Sequence, residues 1–181
     1  MSGSDPTPIV TRVARPDDAA LLTELGASTF RETFESANAP EDFAAYMRTA
    51  FGEAIQRAEL EDPGTTVFLA ERGGDALGYV MLRERAAPSV TGMEDALEIA
   101  RLYARQRALG RGVGAALMQR ALAEAAGRGK DAVWLGVWER NARAIGFYEA
   151  WGFHRCGTQP FVLGADVQTD FIMVRRIARE S

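Results

Sequence analysis

The run LEIARLYARQRALGRGVGAALM, residues 97–118, passes from a strand-like segment into a helix-forming one through a loop with glycines at 110, 112 and 114. In the helical part, Gly114, Met118, Ala121, Leu122 and Ala125 recur at i, i+4, i+7, i+8 and i+11. That spacing gives one apolar face to pack on a sheet. The helix N-terminus then points outward at the sheet edge with unpaired N–H groups and a partial positive charge. Residues without Cβ atoms let a phosphate come close to such an end, and Arg107 and Arg111 stand beside it. From the glycines alone two readings stand: a diphosphate cradle, or a turn that merely joins two elements.

Two known phosphate motifs are excluded by context. A P-loop needs Gly-Lys-Ser/Thr after its glycines, and the chain has Gly-Val-Gly. The dinucleotide pattern is formally met by Gly110, Gly112 and Ala115. Its first glycine should follow a strand directly near the start of a βαβ unit. Here Arg105 to Leu109 intervene, and three other strands are expected upstream.

The rest of the chain alternates. Strands are expected at Ile9–Ala14, Thr65–Glu71, Leu77–Arg83, Leu97–Ala104, Val133–Trp138, Phe153–Phe161 and Phe171–Arg176. A helix opens at Pro16-Asp17-Asp18 and runs to about Gly26, because proline and carboxylates suit a first turn. A second helical or bent segment, ASTFRETFESA, follows it. Glu41–Leu60 is helical with a break near Gly52, Val113–Ala126 is a helix, and Asn141–Trp151 is a helix stopped by Gly152. Gly73-Gly74-Asp75 makes a hairpin, and Ala87–Asp95 a loop. The near-continuous apolar run Val133–Trp138 fits a central strand covered on both faces. The fold class is therefore α/β (α+β): one mixed, mostly antiparallel sheet of about seven strands with helices on both faces.

A chain of 181 residues is read as one domain, over residues 8–181, after a flexible leader at 1–7. The start, MSGSDPTP, is no signal peptide, and no apolar run reaches membrane-span length. A single cysteine, Cys156, allows no internal disulfide and fits a reducing, cytoplasmic compartment. A net charge of −4 argues against a nucleic-acid partner. It agrees with a cationic substrate.

Downstream stands WLGVWERNARAIGFYEAWGF, Trp134 to Phe153, in which an apolar strand runs into Asn141 and a short helix carries Phe147-Tyr148. Together with LYARQRALGRGVGAALM it resembles the GNAT superfamily of acyl-CoA N-acyltransferases, from the first strand to the last. The segments TFRETF (Thr29–Phe34), WLGVWERNARAI and GADVQTDFIM (Gly164–Met173) resemble the branch that contains bacterial polyamine (spermidine/spermine) N-acetyltransferases. The resemblance implies a GNAT fold in which two parallel strands part to admit acetyl-CoA as co-substrate. It implies that Leu102, Tyr103 and Ala104 pair with the pantetheine arm. Leu109, Gly110, Arg111, Gly112, Val113, Gly114 and Ala115 then hold the diphosphate, with Asn141 and Tyr148 nearer the thioester. Leu109 departs from the family, which usually has Gln or Arg there; that position binds through its backbone N–H.

An alkyl amine with a lysine-like pKa of ~10.4 is almost wholly protonated at neutral pH. It must lose a proton to attack a thioester, the oxyanion needs donors, and the leaving thiolate needs an acid. The resemblance makes Tyr148 that acid, where spacing alone reads it as a packed core tyrosine. A backbone N–H within Leu102–Ala104 is the natural oxyanion donor. Glu98 is the candidate base: it sits on the strand feeding the loop, with Ala100, Leu102 and Ala104 on its alternate face, and apolar company raises a carboxylate pKa. Read without the resemblance, it is a salt-bridge partner or a solvated edge residue.

Glu32, Glu35 and Asp170 are the other candidates for the base, or, as their polyamine-like segments imply, the residues that hold a substrate ammonium. Asn141 is a good helix N-cap. His154 and Cys156 read as packing residues, and no metal-ligand cluster is present. Trp134, Trp138 and Trp151 read as core or interface. The expected activity is N-acetyl transfer from acetyl-CoA to a primary amine by direct attack in a ternary complex, with a polyamine as the implied acceptor and a homodimer as the assembly. The alternatives are a CoA-binding sensor without turnover, or a transferase for an amino acid, an aminoglycoside-like amine or a protein N-terminus.

Overall fold

The computed structural model describes residues 7–178. Most of the expected leader lies outside the described residues. Seven strands among them form one sheet: β1 (Val10–Val13), β2 (Thr65–Arg72), β3 (Asp75–Arg83), β4 (Ala96–Ala104), β5 (Ala132–Trp138), β6 (His154–Leu163) and β7 (Asp166–Arg176). Their order is β1-β2-β3-β4-β5-β7-β6. Every neighbouring pair is antiparallel except β4 and β5, which run parallel. Five α-helices among the described residues cover the sheet: α1 (Ala19–Phe34), α2 (Pro40–Ala50), α3 (Glu53–Glu61), α4 (Val113–Gly127) and α5 (Ala142–Ala150). No helix among the described residues is long and apolar enough to cross a membrane.

Alternation along the central strands separates two cores. On β2, Phe68 and Ala70 join Leu117, Met118 and Ala121 of α4. Val67 and Leu69 join Leu22 and Leu25 of α1. A strand covered on both faces needs an unbroken apolar run, and VFLA supplies it with four fully buried residues. Phe30, Phe43, Phe51 and Leu163 make a third cluster that fixes α2 against α1 and β6.

Three local expectations change. Gly26 does not end the first helix: after a 3₁₀ turn at Pro16–Asp18, α1 runs unbroken to Phe34. A Cβ at Gly26 would lie 2.7 Å from Phe51 and 3.2 Å from the Tyr79 hydroxyl. The glycine is there for close packing, at the usual helix-interior cost of about 1 kcal/mol. On α4 the buried stripe is Val113, Leu117, Met118, Ala121 and Ala125, while Leu122 is half-buried and Gly114 faces Phe147. The last two strands are longer than expected, because GADVQTD belongs to a hairpin that turns at Gly164 (φ 64°).

Candidate active site

Strands β4 and β5 pair only from Ala96–Ile99 to Ala132–Leu135. Beyond that they part. β4 continues to Ala104 along β3, and β5 continues to Trp138 along β7. The parting coincides with a β-bulge: Met81 faces Arg101 while Leu82 faces Ile99, so Ala100 has no partner. Such an extra residue bends its strand and flips the side-chain alternation. Arg105 N–H bonds the Leu77 carbonyl at 2.8 Å. By antiparallel alternation Tyr103 and Arg101 also bond β3, and Leu102 and Ala104 turn their N–H and C=O groups into the gap. Gly78 permits this approach, since a Cβ there would meet the Tyr103 carbonyl oxygen at 2.6 Å.

The glycine loop stands at the mouth of the gap. Gly110 (φ 70°) and Gly112 (φ 86°) adopt the left-handed conformation that side-chain-bearing residues avoid. No side chain caps α4. The first amide to find an acceptor is Ala116, on the Gly112 carbonyl at 3.0 Å; those of Val113, Gly114 and Ala115 have none among the described residues. A Cβ on Gly110 would meet nothing within 4 Å. Bare backbone, open space and three free donors at a helix N-terminus fit an anionic diphosphate.

Neighbouring elements brace the loop. Arg72 donates to the Arg111 carbonyl at 3.2 Å, and Arg105 pairs with Glu24 at 2.7 Å. Arg107 was expected to add charge to the cradle; it is instead held by Asp75 at 2.6 Å.

A cavity of about 640 Å³ fills the gap. On its α4–α5 side lie Leu109, Gly110, Gly112, Gly114, Ala115, Asn141 and Tyr148. Asn141 accepts the Ala144 N–H at 3.2 Å and so caps α5 while lining the cavity. Tyr148 packs between Phe147 and Phe153. Burial pushes its hydroxyl above the ordinary phenol range, so it stays a neutral donor at physiological pH. Arg143, in the first turn of α5, also lines the cavity; no motif in the sequence marks it.

Four carboxylates were candidates, and two of them reach the cavity: Glu98 and Asp170. Glu98 is buried, with Oε1 3.5 Å from Arg85 and Oε2 without a hydrogen-bond partner. Burial raises its pKa, and Arg85 and Arg83 oppose the rise. It does not share a face with Leu102 and Ala104 as expected. The bulge at Ala100 places those two with Leu97 and Ile99 on the α4 side, while Ala100 and Tyr103 pack toward α1. Asp170 lies opposite Trp138 and Gln159 at the far edge of the gap. Burial alone pushes its carboxyl up to about 6. Glu32 and Glu35 lie elsewhere. Glu32 accepts the Gln106 N–H at 2.7 Å and anchors the approach to the glycine loop. Glu35 makes an exposed pair with Arg31 one turn earlier.

The α1–α2 side of the cavity is aromatic. Phe30, Phe34, Tyr46, Tyr103, Trp138 and Phe161 line it. Trp138 is expected in the core or an interface and Tyr103 along the pantetheine arm; both stand on this wall. Phe30 and Phe34, at i and i+4 near the end of one helix, were the available signal. Among the described residues no group of His, Cys, Asp and Glu is disposed to hold a metal ion.

A parallel pair that parts beside a bare, glycine-lined helix end is the architecture the resemblance implied for a transferase that seats an acyl-CoA. The GNAT acetyltransferase family matches residues 27–153. The chain is 35% identical over 155 residues to an uncharacterized N-acetyltransferase of Lactobacillus delbrueckii subsp. lactis, spanning 84% of this chain and 88% of that one. It is 36% identical over 160 residues to an uncharacterized N-acetyltransferase of Mycobacterium bovis, spanning 88% and 98%. The PaiA N-acetyltransferase of Thermoplasma acidophilum, solved in complex with coenzyme A, shares the fold with a TM-score of 0.73 at 18% identity, over 93% of this chain and 99% of that one. The chain thus belongs to the GNAT family of acetyltransferases, and it is a CoA-binding acyltransferase.

Proposed function

We propose that the protein transfers the acetyl group of acetyl-CoA to a primary amine by direct attack in a ternary complex. The observation that carries this reading is the uncapped N-terminus of α4, with Gly110 and Gly112 bare before it, at the mouth of the β4–β5 gap. When bound, acetyl-CoA supplies an acetyl group activated as a thioester. The amides of Val113, Gly114 and Ala115 receive its diphosphate, and the free edge of β4 at Leu102 and Ala104 pairs with its pantetheine arm. An N–H of that edge stabilises the oxyanion formed on attack. Tyr148, neutral and facing the cavity, protonates the leaving thiolate.

The acceptor enters from the opposite face, where the two raised carboxylates lie. Asp170 receives its ammonium. Glu98, whose unpartnered Oε2 is free to take a proton, accepts the first nitrogen proton directly or through water; the second, shed as the tetrahedral adduct collapses, restores the Tyr148 hydroxyl through water. Acid and base thus flank the gap from its two sides, and neither is asked to do both tasks. A sensor without turnover would need no hydroxyl and no carboxylates facing the cavity, and Tyr148, Glu98 and Asp170 all line it.

The polyamine reading rests on the resemblance of three segments to one branch of the family, with Glu32, Glu35 and Asp170 as the candidate ammonium ligands. Only Asp170 lines the cavity, so the site supports a primary amine rather than a polyamine in particular. The test is release of CoA from acetyl-CoA with a panel of amines, in wild type and in Glu98→Gln. Turnover of at least one amine, with kcat lowered at least tenfold in the variant, supports the reading. No turnover of any amine while acetyl-CoA binds would favour the sensor.

A further inference from the structure

The acceptor wall is a continuous ring surface. Phe30 contacts Phe34 at 4.5 Å and Tyr46 at 4.8 Å between centroids. Tyr46 contacts Phe161 at 5.5 Å, and Phe34 contacts Trp138 at 6.1 Å and Tyr103 at 6.2 Å. Such a wall gains by burying apolar area and by facing a cation with aromatic rings.

The charges beside it are almost all spoken for. Arg83 and Arg101 both rest on Glu59, at 2.8 and 3.0 Å. Arg85 stands on Glu98. Asp170 alone among these carboxylates has no cation and no hydrogen-bond donor among the described residues, although it is 8% exposed. A buried carboxylate left without a partner is costly, and a ligand that brings one ammonium removes that cost.

A polyamine would bring two or three. Its further ammonium groups would have to lie among rings and beside Arg83 and Arg101, where Glu59 is already shared by two guanidinium groups. The rings give a cation only a modest attraction, Arg83 and Arg101 repel it, and Glu98 already faces Arg85, so each further buried ammonium is disfavoured.

Resting on the acetyl-transfer reading of this same site, we infer that the acceptor is a small primary amine with one positive charge on an apolar or aromatic body. Its ammonium meets Asp170. Its body lies among Phe34, Tyr46, Trp138 and Phe161. The two functions are separate, so each can be removed without the other.

The test is calorimetric binding of 2-phenylethylamine and of spermidine to the CoA-loaded protein, followed by turnover of each with acetyl-CoA. The wild type is expected to bind 2-phenylethylamine at least tenfold more tightly than spermidine. Asp170→Asn should weaken that binding at least tenfold, and Phe161→Ala at least fivefold. The Kd for CoA should stay within twofold in both variants, which also reports that they are folded. Spermidine binding as tightly as 2-phenylethylamine, or no binding of either amine, would overturn the inference. If 2-phenylethylamine binds as expected but is never acetylated, the acceptor pocket stands and the transfer reading fails. If spermidine is bound and acetylated in preference, transfer stands and the acceptor class fails.

Discussion

Gly136 is bare where Asp170 needs room: a Cβ at 136 would lie 3.2 Å from Asp170 Oδ2 and would overlap the side-chain amide of Gln159. Gly136 is the first residue of β5 beyond its pairing with β4, so the same position opens the gap and seats the carboxylate. Gly136→Ala forces Gln159 aside, which its flexible end allows, and displaces Asp170. The expected cost in stability is about 1 kcal/mol, at the low end for overpacking. The expected cost in function is larger: the amine KM rises tenfold or more. Steady-state CoA release against amine concentration checks this, and an unchanged KM would detach Asp170 from the acceptor.

Tyr148 sits across the gap from that carboxylate, on the α5 side. Tyr148→Phe removes one oxygen that has no hydrogen-bond acceptor among the described residues, and the ring contacts to Phe147 and Phe153 survive. Folding and acetyl-CoA KM should therefore change little. If the hydroxyl protonates the thiolate in the transition state, kcat falls by ~100- to 10,000-fold, the usual worth of a positioned acid. A kcat within twofold of wild type would return Tyr148 to a packing role.

The parts of this site written in contiguous residues were legible from sequence. Gly110 and Gly112 announce left-handed backbone, the run after them announces a helix, and Asn141 announces a cap. The hidden parts depend on how separate elements meet. The bulge at Ala100 carries no turn residue, because it arises from register between β3 and β4. It is what removed Leu102 and Ala104 from Glu98's face. The aromatic wall draws on α1, α2, β4, β5 and β6, and no local spacing joins Phe30 to Phe161. Glu32 and Glu35 looked like ammonium ligands because their segment resembles a known branch. Which helix face meets the cavity is set by docking, and docking turned Glu32 to the Gln106 amide and Glu35 to solvent.

Gly112 tests the cradle. At φ 86° any side chain costs about 1–2 kcal/mol in strain, and a carboxylate adds repulsion where the diphosphate should lie. Gly112→Glu should lower Tm by a few degrees yet remain folded. Gly112→Ala carries the same strain without the charge. Saturating acetyl-CoA raises the wild-type Tm through mass action. That rise should vanish in the Glu variant and persist, reduced, in the Ala variant. Equal rises in all three would remove the helix end from the binding site.

Asp170 joins function to stability in opposite directions. Its carboxyl is held at about 6, against 3.8 for an exposed aspartate, by burial alone. The folded state therefore binds its proton more tightly than the unfolded chain does. Stability from this group is full below about pH 4 and is lost as pH rises through about 6. At pH 7.5 the ionised, unpartnered carboxylate costs about 3 kcal/mol, at about 1.4 kcal/mol per tenfold change in acidity. Asp170→Asn removes the charge at nearly constant shape. It should raise stability at pH 7.5 by about 1–3 kcal/mol, or Tm by about 2–12 °C for a chain of this size. The gain should shrink as pH falls toward 4. The same variant should bind amine poorly, and wild-type kcat/KM for the amine should climb through about pH 6 as Asp170 ionises. Thermal melts of both proteins from pH 4 to 8, set beside the pH profile of the wild type, decide it. A variant less stable than wild type at pH 7.5 would mean that Asp170 is already paired inside the protein and is not waiting for a cationic ligand.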